Sequence, residues 1–352
     1  MGMSETRTDP NNTNAASHQE EAGAVLSISG ADARKFLQGQ ISCDVEILHG
    51  EALIHLTGAH CNLKGRIVSS FEIVRDFRLD KQSEDQSALP DGIEHVLENN
   101  SQVAGESYLL RVDKDNLDVA KKQLDQYARF SKVTISKRLM HCSYHRLHSK
   151  DGVMLALKHR QAIYTQDSVT LVYQTDRGWL LETLQNQLED HGACSTPAFI
   201  EALGKTYTVE PIDYSFFLQS LAMQSLIYCN SAMSENWLPH DLAYEKISAV
   251  SFKKGCFLGQ EVIARMHYKA KSQKSLGIAV ISRGALSEAD SSSDHTEASS
   301  LEVSEGQIIR AIVRGKSILL VLSFRKAVPD SIGINHNGEV VEAPIFPPMP
   351  LA

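Results

Sequence analysis

The segment 108–136 constrains the fold most, because it reads as strand, helix and strand in succession. Residues 108–112, YLLRV, are predicted to form a strand. Apolar side chains then recur at the spacing of one helix face, at Leu117, Ala120, Leu124 and Tyr127. Residues 132–136 return to a strand-like pattern. This order predicts an α+β fold with a split βαβ unit.

The C-terminal part is predicted to form a small β-barrel. Strand-like segments cover 275–281, 307–313 and 317–324, and Arg314-Gly315-Lys316 joins the last two as a hairpin. The low-complexity run 288–300 is expected to be a flexible surface insertion. Between the two parts, the sequence predicts helices near 182–189 and over 214–228.

Composition excludes several classes of protein. The chain has 352 residues and a formal charge of −8, so a chain-wide basic surface for nucleic acid is absent, and direct nucleic-acid contact is not expected. No run of about 18 apolar residues occurs, and the polar residues 1–21 read as a disordered tail without a signal region. We therefore expect a cytoplasmic protein without membrane contact. Six cysteines without a C-x-x-C pair indicate free thiols, and the sequence predicts no metal site.

The densest chemical signal is the stretch FKKGCFLGQEVIAR at 252–265. Two glycines flank Cys256 in a tight loop, and a predicted helix runs from Gln260 through Arg265. A thiol near a helix N-terminus and beside Lys253 and Lys254 favours the thiolate form. Residues 253–274 hold six cations and one acid, a net of +5 that would attract an anion. The spacing equally allows a buried structural cysteine beside a solvated basic face.

KGCFLGQEVIAR resembles the signature of the YgfZ family, K-G-C-[FY]-x-G-Q-E. The stretches GADARKFLQGQISCDV (30–45), AHCNLKGR (59–66), ARFSKVTI (128–135) and Leu238-Pro239 resemble the family in the same order. The resemblance covers nearly the whole chain outside the tail and the 288–300 insertion.

The resemblance implies the fold of the glycine-cleavage T-protein. This is a multidomain ring with ferredoxin-like split βαβ units and a C-terminal β-barrel. The implied domains are a folate-binding domain at 22–140 plus about 196–268, a second α+β domain at 141–195, and the barrel at 269–352. The implied cofactor is tetrahydrofolate or a derivative, seated in a central opening. The implied function is assembly or repair of iron–sulfur enzymes, including radical enzymes that modify tRNA, with those client or assembly proteins as partners.

The resemblance also implies the site residues. Cys256 is the functional, catalytic cysteine, with Lys254 beside it. The residues expected to frame it or to bind folate are Asp44, Lys64, Phe217, Gly255, Gly259, Gln260, Glu261 and Arg265. Three of them have simpler alternatives. Phe217 is also spaced to pack in a core with Leu221, Lys64 to form a hairpin tip, and Asp44 to cap a local turn.

One departure weighs against a working aminomethyltransferase. T-protein-like transferases carry an Asp-Asp pair on the strand after the first hairpin, whereas 67–71 holds no carboxylate and Glu72 falls in a different register. Proton transfer at folate then lacks its agent. Folate-dependent aminomethyl transfer remains one alternative function. A tRNA-associated adaptor that uses Lys269, Lys271 and Lys274 is a second.

Overall fold

The computed structural model describes residues 21–50, 53–77, 106–149, 158, 160–165, 168–186, 198–269, 274–282, 301–336 and 338–349. The tail predicted over 1–21 lies outside the described residues except for Glu21, which begins a strand and therefore does not belong to a disordered tail. The predicted 288–300 insertion lies outside the described residues. Among the described residues, no helix has both the length and the apolar character that a bilayer crossing requires.

The larger β-sheet has nine strands, joined by antiparallel pairing. Their bounds are β1 Glu21–Gly30, β2 Leu56–Cys61, β3 Ile67–Arg75, β4 Glu106–Val112, β5 Thr134–Ser149, β6 Ala162–Tyr164, β7 Ser168–Thr175, β8 Gly178–Asn186 and β9 Tyr207–Ile212. The spatial order is β2-β3-β4-β1-β5-β8-β7-β6, and β9 also pairs with β5. The helices are α1 Ala33–Gln40, α2 Leu117–Ala128, α3 Ala198–Gly204, α4 Tyr214–Met223 and α5 Gln260–Tyr268.

The predicted strand, helix and strand over 108–136 are confirmed. Helix α2 connects β4 to β5, and these two strands lie on either side of β1, each antiparallel to it. Alternation along β1 decides which face each side chain covers. Leu26 and Ile28 pack in one core with Phe36 of α1 and Leu124 of α2, whereas Val25 belongs to a second core on the opposite face.

Strand β5 is long enough to join the two halves of the sheet. Its first part pairs with β1, and its second part pairs with β8 and β9. The domain boundary predicted between 140 and 141 therefore falls inside a continuous strand. The limits of the predicted domains stay predictions.

The helix predicted near 182–189 is wrong over its first part, because β8 continues to Asn186. Leu184 of this strand lies opposite Cys142 on β5 and Val169 on β7. Pairing on both sides outweighs the weak local preference of this segment for a helix. Residues 187–189 lie outside the described part.

The helix predicted over 214–228 is also too long. Helix α4 ends at Met223 because Ser225 adopts a left-handed conformation with φ 65°. The Leu226 N–H then donates to the Leu221 carbonyl oxygen, and the Ser225 N–H to that of Ala222. These two bonds satisfy carbonyls at the helix end, and the chain continues in an extended, buried form.

The C-terminal strands form a nearly closed six-stranded barrel. Their bounds are β10 Ser275–Ser282, β11 Leu301–Val303, β12 Gln307–Arg314, β13 Ser317–Phe324, β14 Ser331–His336 and β15 Glu339–Phe346. The order is β11-β14-β15-β10-β13-β12, and the two end strands approach each other. The predicted hairpin at Arg314-Gly315-Lys316 joins β12 to β13, where Gly315 has φ 55°. Outward-facing Ile278, Ile312 and Val321 share a core with α4.

Candidate functional site

The motif loop, residues 251–259, leads into α5 and is anchored on the last turn of α1 and on the segment that follows this helix. The Ser251 N–H donates to the Ser42 carbonyl oxygen at 2.9 Å, and the Leu258 N–H to that of Gly39 at 3.1 Å. These backbone bonds hold both ends of the loop against a chain segment more than 200 positions away.

Lys254 directs its ammonium into the protein. Its Nζ donates hydrogen bonds to the carbonyl oxygens of Ile41 at 2.8 Å and Cys43 at 2.7 Å. Nζ also lies 5.3 Å from the centre of the Phe257 ring. Burial lowers the pKa of the Lys254 ammonium to about 8. These contacts give Lys254 a role in positioning the loop, and a role in catalysis stays a prediction.

Cys256 stands exposed on the loop, between the buried side chains of Lys254 and Phe257. The other cysteines in the described part of the chain are buried. Burial raises the pKa of Cys43 and of Cys229 to about 12. Cys256 therefore offers a thiol to solvent or to a partner, and the alternative of a buried structural cysteine does not apply.

Gly259 brings the loop into contact with the turn between β2 and β3. It caps α5 with φ 82°, and a Cβ placed there would lie 2.5 Å from the Asn62 carbonyl oxygen. Gly65 in that turn has φ 72°, and its own Cβ would lie 3.0 Å from the Val262 Cβ. Only residues without side chains allow this approach.

The remaining motif residues have simple surroundings. Gln260 accepts a hydrogen bond from the Phe257 N–H at 3.4 Å through its Oε1. Glu261 and Arg265 lie exposed on α5, and Gly255 has open space around it. Lys64 is exposed at the tip of the β2–β3 turn, as the hairpin-tip alternative predicts. Their contact with folate stays a prediction.

Two predicted folate residues have structural roles. Asp44 caps the 3-10 helix Val45–His49, accepting from the Glu46 N–H at 3.2 Å and from Gln38 Nε2 at 2.7 Å. Phe217 is fully buried, with its ring 4.8 Å from that of Tyr144 and 5.4 Å from that of Tyr173. These placements agree with the local-cap and core alternatives for Asp44 and Phe217.

The lysines of the basic segment 253–274 have different surroundings, and not all of them face solvent. Lys254 is buried on carbonyl oxygens, and Lys274 pairs with Asp241 at 3.1 Å while lying over the Trp237 ring. Lys269 is exposed. Lys271 lies outside the described residues. The charge that faces solvent is therefore smaller than the sequence count of +5.

A buried polar cluster lies on the larger sheet, and sequence analysis missed it. We call it the central polar cluster, and its members are His55, Glu72, Arg111, Tyr173, Glu182 and Tyr228. Glu72 lies 2.6 Å from His55 Nδ1 through its Oε2. Its Oε1 accepts hydrogen bonds from Thr57 at 2.7 Å and from the Tyr228 hydroxyl at 3.2 Å. Glu72, whose position in the strand differs from that of the Asp pair of the transferases, thus lies at the centre of this cluster.

The second carboxylate of the central polar cluster is Glu182. Its Oε1 accepts from Arg111 Nε at 2.6 Å, and its Oε2 from the Tyr173 hydroxyl at 3.0 Å. The hydroxyl oxygens of Tyr173 and Tyr228 lie 3.3 Å apart, which links the two carboxylates. The polar chain therefore runs without a break from His55 to Arg111.

The surroundings shift the pKa values of the Glu72 and Glu182 carboxyl groups in opposite directions. Burial would raise the pKa of Glu72, but the hydrogen bond and charge of His55 outweigh it and hold that pKa below its usual value. Burial raises the pKa of Glu182, and Arg111 offsets only part of the rise. The Tyr173 and Tyr228 hydroxyls stay protonated donors, because burial raises the pKa of each well above its usual value.

Two polar atoms at the edge of this cluster lack partners within the described residues. Arg111 Nη1 and the Tyr214 hydroxyl are both buried without a hydrogen bond. The Arg111 guanidinium carbon lies 5.2 Å from the centre of the Tyr214 ring. Unpaired buried polar atoms are rare in folded proteins, so this pair is a candidate point of ligand contact.

One sequence signal pointed to the central polar cluster. Glu72 interrupts the apolar run Phe71, Ile73 and Val74 of β3, and a carboxylate in a buried strand needs partners. Those partners come from strands far away in the sequence, so their identity required the sheet order.

Comparison with known proteins gives distant relatives. No family model matches the chain. The tRNA-modifying protein YgfZ of Colwellia psychrerythraea is 27% identical over 256 residues, covering 73% of the chain and 68% of that relative. YgfZ of Vibrio vulnificus is 25% identical over 259 residues, covering 72% and 66%, and that of Shigella sonnei is 22% identical over 278, covering 76% and 72%.

The chain is a distant homologue of the YgfZ proteins. The matched segments span about two thirds of the length of the first two relatives. The fold of this YgfZ homologue resembles the crystal structure of glycine cleavage system aminomethyltransferase T from Bartonella henselae. The TM-score is 0.50 at 10% identity, over 94% of the chain and 85% of that structure. The T-protein-like fold expected from the sequence is thereby supported at the level of overall architecture.

Proposed function

We propose that this YgfZ homologue is a folate-binding factor that maintains iron–sulfur enzymes, including enzymes that modify tRNA, with Cys256 as its functional thiol. The observation that carries the proposal is the motif loop. Lys254 and Gly259 fix it to two other segments, while Cys256 projects from it exposed. The tRNA-modifying role named for the YgfZ relatives supports the same assignment.

The chemistry of a lone exposed thiol limits what Cys256 does. Protein iron–sulfur clusters are generally held by several cysteines, so one thiol ligates a cluster only together with ligands from a client or assembly protein. The other cysteines of the described residues are buried and do not supply those ligands. The proposed role is therefore a transient contact with the cluster or its sulfur in a partner protein.

The proposed folate seat lies beside Arg111 and Tyr214. Arg111 Nη1 and the Tyr214 hydroxyl are the polar atoms that would meet the pterin ring, whose edge carries both donors and acceptors. Tyr214 is half-buried, and its ring lies 5.3 Å from that of Tyr144. A planar ligand would extend this group of aromatic rings.

Calorimetric titration with tetrahydrofolate and with 5-formyl-tetrahydrofolate tests the folate seat. We expect saturable binding that Tyr214→Phe weakens about tenfold, the usual effect of losing one buried hydrogen bond. Tyr268→Phe changes an exposed tyrosine and serves as the matched control. Absence of saturable binding to the unmodified protein would overturn the folate assignment.

Complementation tests the thiol. In a bacterial strain that lacks its own YgfZ, we expect the unmodified chain to restore the activity of a tRNA-modifying iron–sulfur enzyme. Cys256→Ala should restore little of it while unfolding at the same urea concentration. Lys269→Ala, at the exposed residue directly after α5, should restore it fully. Full restoration by Cys256→Ala would contradict the assignment of the thiol.

The central polar cluster does not favour the aminomethyltransferase alternative. Both oxygens of Glu72 already meet internal partners, namely His55 on one side and Thr57 with Tyr228 on the other. A general acid or base must lie within hydrogen-bond reach of the proton that it moves, and neither oxygen of this carboxylate is left without an internal partner. The tRNA-associated adaptor alternative is also weakened. It needs Lys274 to contact RNA, but the charge of Lys274 is paired with Asp241.

A further inference from the structure

Three side chains outside the motif loop and the central polar cluster meet near the end of α5. They are His240, Glu245 and His267, and one ligand atom of each lies within 4.8 Å of the others. His267 Nδ1 lies 2.9 Å from Glu245 Oε2, and His240 Nε2 lies 3.4 Å from the same oxygen. Two imidazoles and one carboxylate are a donor set that first-row transition metals prefer.

Local structure explains why the three meet. His240 lies in the 3-10 helix Pro239–Leu242, and Ala243 then turns the chain with a left-handed φ of 55°. Glu245 follows this turn and faces α5, which presents His267 in its last turn. The Phe252 ring stacks on the His267 ring at 3.9 Å and 17°, which fixes the plane of the imidazole.

A second observation points to a ligand. The His240 side chain is only 4% exposed, and within the described residues neither of its ring nitrogens forms a hydrogen bond. The neighbouring Asp241 does not supply one, because its oxygens meet Lys274 and the Leu238 N–H. A buried imidazole without a hydrogen bond is costly, and a cation at Nε2 would give it a partner.

We propose that His240, Glu245 and His267 form a binding site for a divalent first-row transition-metal ion, with Zn²⁺ as the reference case. Tetrahedral coordination with bonds of about 2.0–2.1 Å places neighbouring ligand atoms about 3.3 Å apart. The two separations of 2.9 and 3.4 Å bracket this value. The third pair, the two imidazole nitrogens, lies within 4.8 Å, so the ion would also require the two imidazoles to move closer together.

The site would leave one coordination position open. Zinc sites with three protein ligands generally keep a water or a substrate atom in the fourth position. Glu245 and His267 are 30% and 37% exposed, so solvent reaches the carboxylate side, while His240 closes the other side. This proposal is independent of folate and of Cys256, because none of its three ligands belongs to the motif loop.

Titration of the full chain with Co²⁺ tests the site. After dialysis against a chelator, we expect about one equivalent of Co²⁺ to bind with visible absorption of a four- or five-coordinate ion, and Zn²⁺ to displace it. The titration is repeated on Cys256→Ala, which removes the exposed thiol. We expect an identical spectrum without thiolate-to-cobalt charge transfer.

Variants at the exposed ligands provide the decisive comparison, since replacing buried His240 endangers folding. His267→Gln and Glu245→Gln should each weaken Co²⁺ binding at least about 100-fold, because each removes a direct ligand. His148→Gln is the matched control, since His148 and Glu210 form an exposed pair at 3.3 Å that belongs to no three-residue ligand group within the described residues. Zn²⁺ should raise the Tm of the unmodified chain and of this control, and not that of the ligand variants.

Three results would overturn the proposal. The first is the absence of saturable Co²⁺ binding to the unmodified chain. The second is an unchanged affinity in both His267→Gln and Glu245→Gln. The third is a thiolate spectrum that disappears in Cys256→Ala, which would assign the metal to the motif loop instead.

Discussion

Gly259 of the motif loop packs directly on Gly65 of the β2–β3 turn. A Cβ on Gly259 would lie 3.1 Å from the Gly65 Cα and 2.5 Å from the Asn62 carbonyl oxygen. Both glycines have left-handed φ values, 82° and 72°. The loop that carries Cys256 is thus held against a second turn by two residues that tolerate no side chain.

Gly259→Ala should therefore destabilise the protein by roughly 2 kcal/mol or more, from left-handed strain and from the clash with Asn62. Gly255→Ala, in the same loop, meets nothing within 4 Å and should change stability by less than about 0.5 kcal/mol. Urea unfolding of both variants measures the difference. Equal midpoints for the two variants would contradict the close packing of Gly259.

Local sequence patterns predicted the parts of the fold that local interactions decide. The strand–helix–strand unit follows from apolar spacing, and the hairpin at Gly315 follows from its turn sequence. The helix predicted near 182–189 failed because β8 is held by partners on both sides. A pattern read over about ten residues cannot predict which distant strands pair with each other.

The candidate site shows the same division. The motif sequence predicted the helix that follows Cys256, whereas the role of Cys256 itself stays a prediction. The partners of Lys254 lie 213 and 211 positions away, and no spacing rule connects them. Likewise, the sequence does not show that Tyr228 is a partner of Glu72, because only the fold places the two side chains together.

The buried ammonium of Lys254 predicts a stability that depends on alkaline pH. Burial lowers the pKa of Lys254 to about 8, whereas an unfolded lysine titrates near 10.4. Between these values the unfolded chain binds more protons, so the free energy of unfolding rises with pH. The gain in the free energy of unfolding that comes from uncharged Lys254 is complete above about pH 10.4 and is lost as pH falls to about 8. It amounts to about 3 kcal/mol at most.

Lys254→Met isolates this contribution. The free energy of unfolding of the unmodified chain minus that of Lys254→Met should increase from pH 8 to pH 10, measured by urea unfolding. Lys253→Met changes the exposed neighbouring lysine, and its difference should stay constant over the same range. A constant difference for Lys254→Met would show that its ammonium is not shielded from water.

The Glu72 carboxylate predicts a dependence on acidic pH. Glu72→Gln keeps one acceptor oxygen for Thr57 and Tyr228 but replaces the carboxylate oxygen that meets His55 Nδ1 by an NH2 group, so it should cost roughly 2–4 kcal/mol at pH 7. The pKa of Glu72 is held below its usual value, so its contribution is present above about pH 4.3 and is lost as pH falls further. The stability difference should therefore shrink below pH 4, as urea unfolding at several pH values will measure.

Glu302→Gln, at an exposed glutamate, is the control for this experiment. Its effect should stay below about 0.5 kcal/mol at every pH, because a surface substitution leaves no buried donor unpaired. If Glu72→Gln behaved in the same way, the central polar cluster would not depend on a charged carboxylate.

Arg310 of β12 attaches the barrel to the rest of the protein through a buried ion pair and a hydrogen bond. Its Nη2 pairs with Asp113 Oδ2 at 2.7 Å, and its Nη1 donates to the Tyr228 carbonyl oxygen. Both charged side chains are buried, so Arg310→Met leaves the Asp113 carboxylate without its counter-charge. Breaking such a pair generally costs about 3–5 kcal/mol.

Arg314 on the same strand provides the matched control. It pairs with Asp213 at 3.1 Å, but the two side chains are 43% and 54% exposed. Arg314→Met should therefore cost less than about 1 kcal/mol. Both variants are compared by thermal and urea unfolding at pH 7, where we expect Arg310→Met alone to lower the midpoint strongly. Similar midpoints would mean that the buried pair does not hold the barrel against the Asp113 segment.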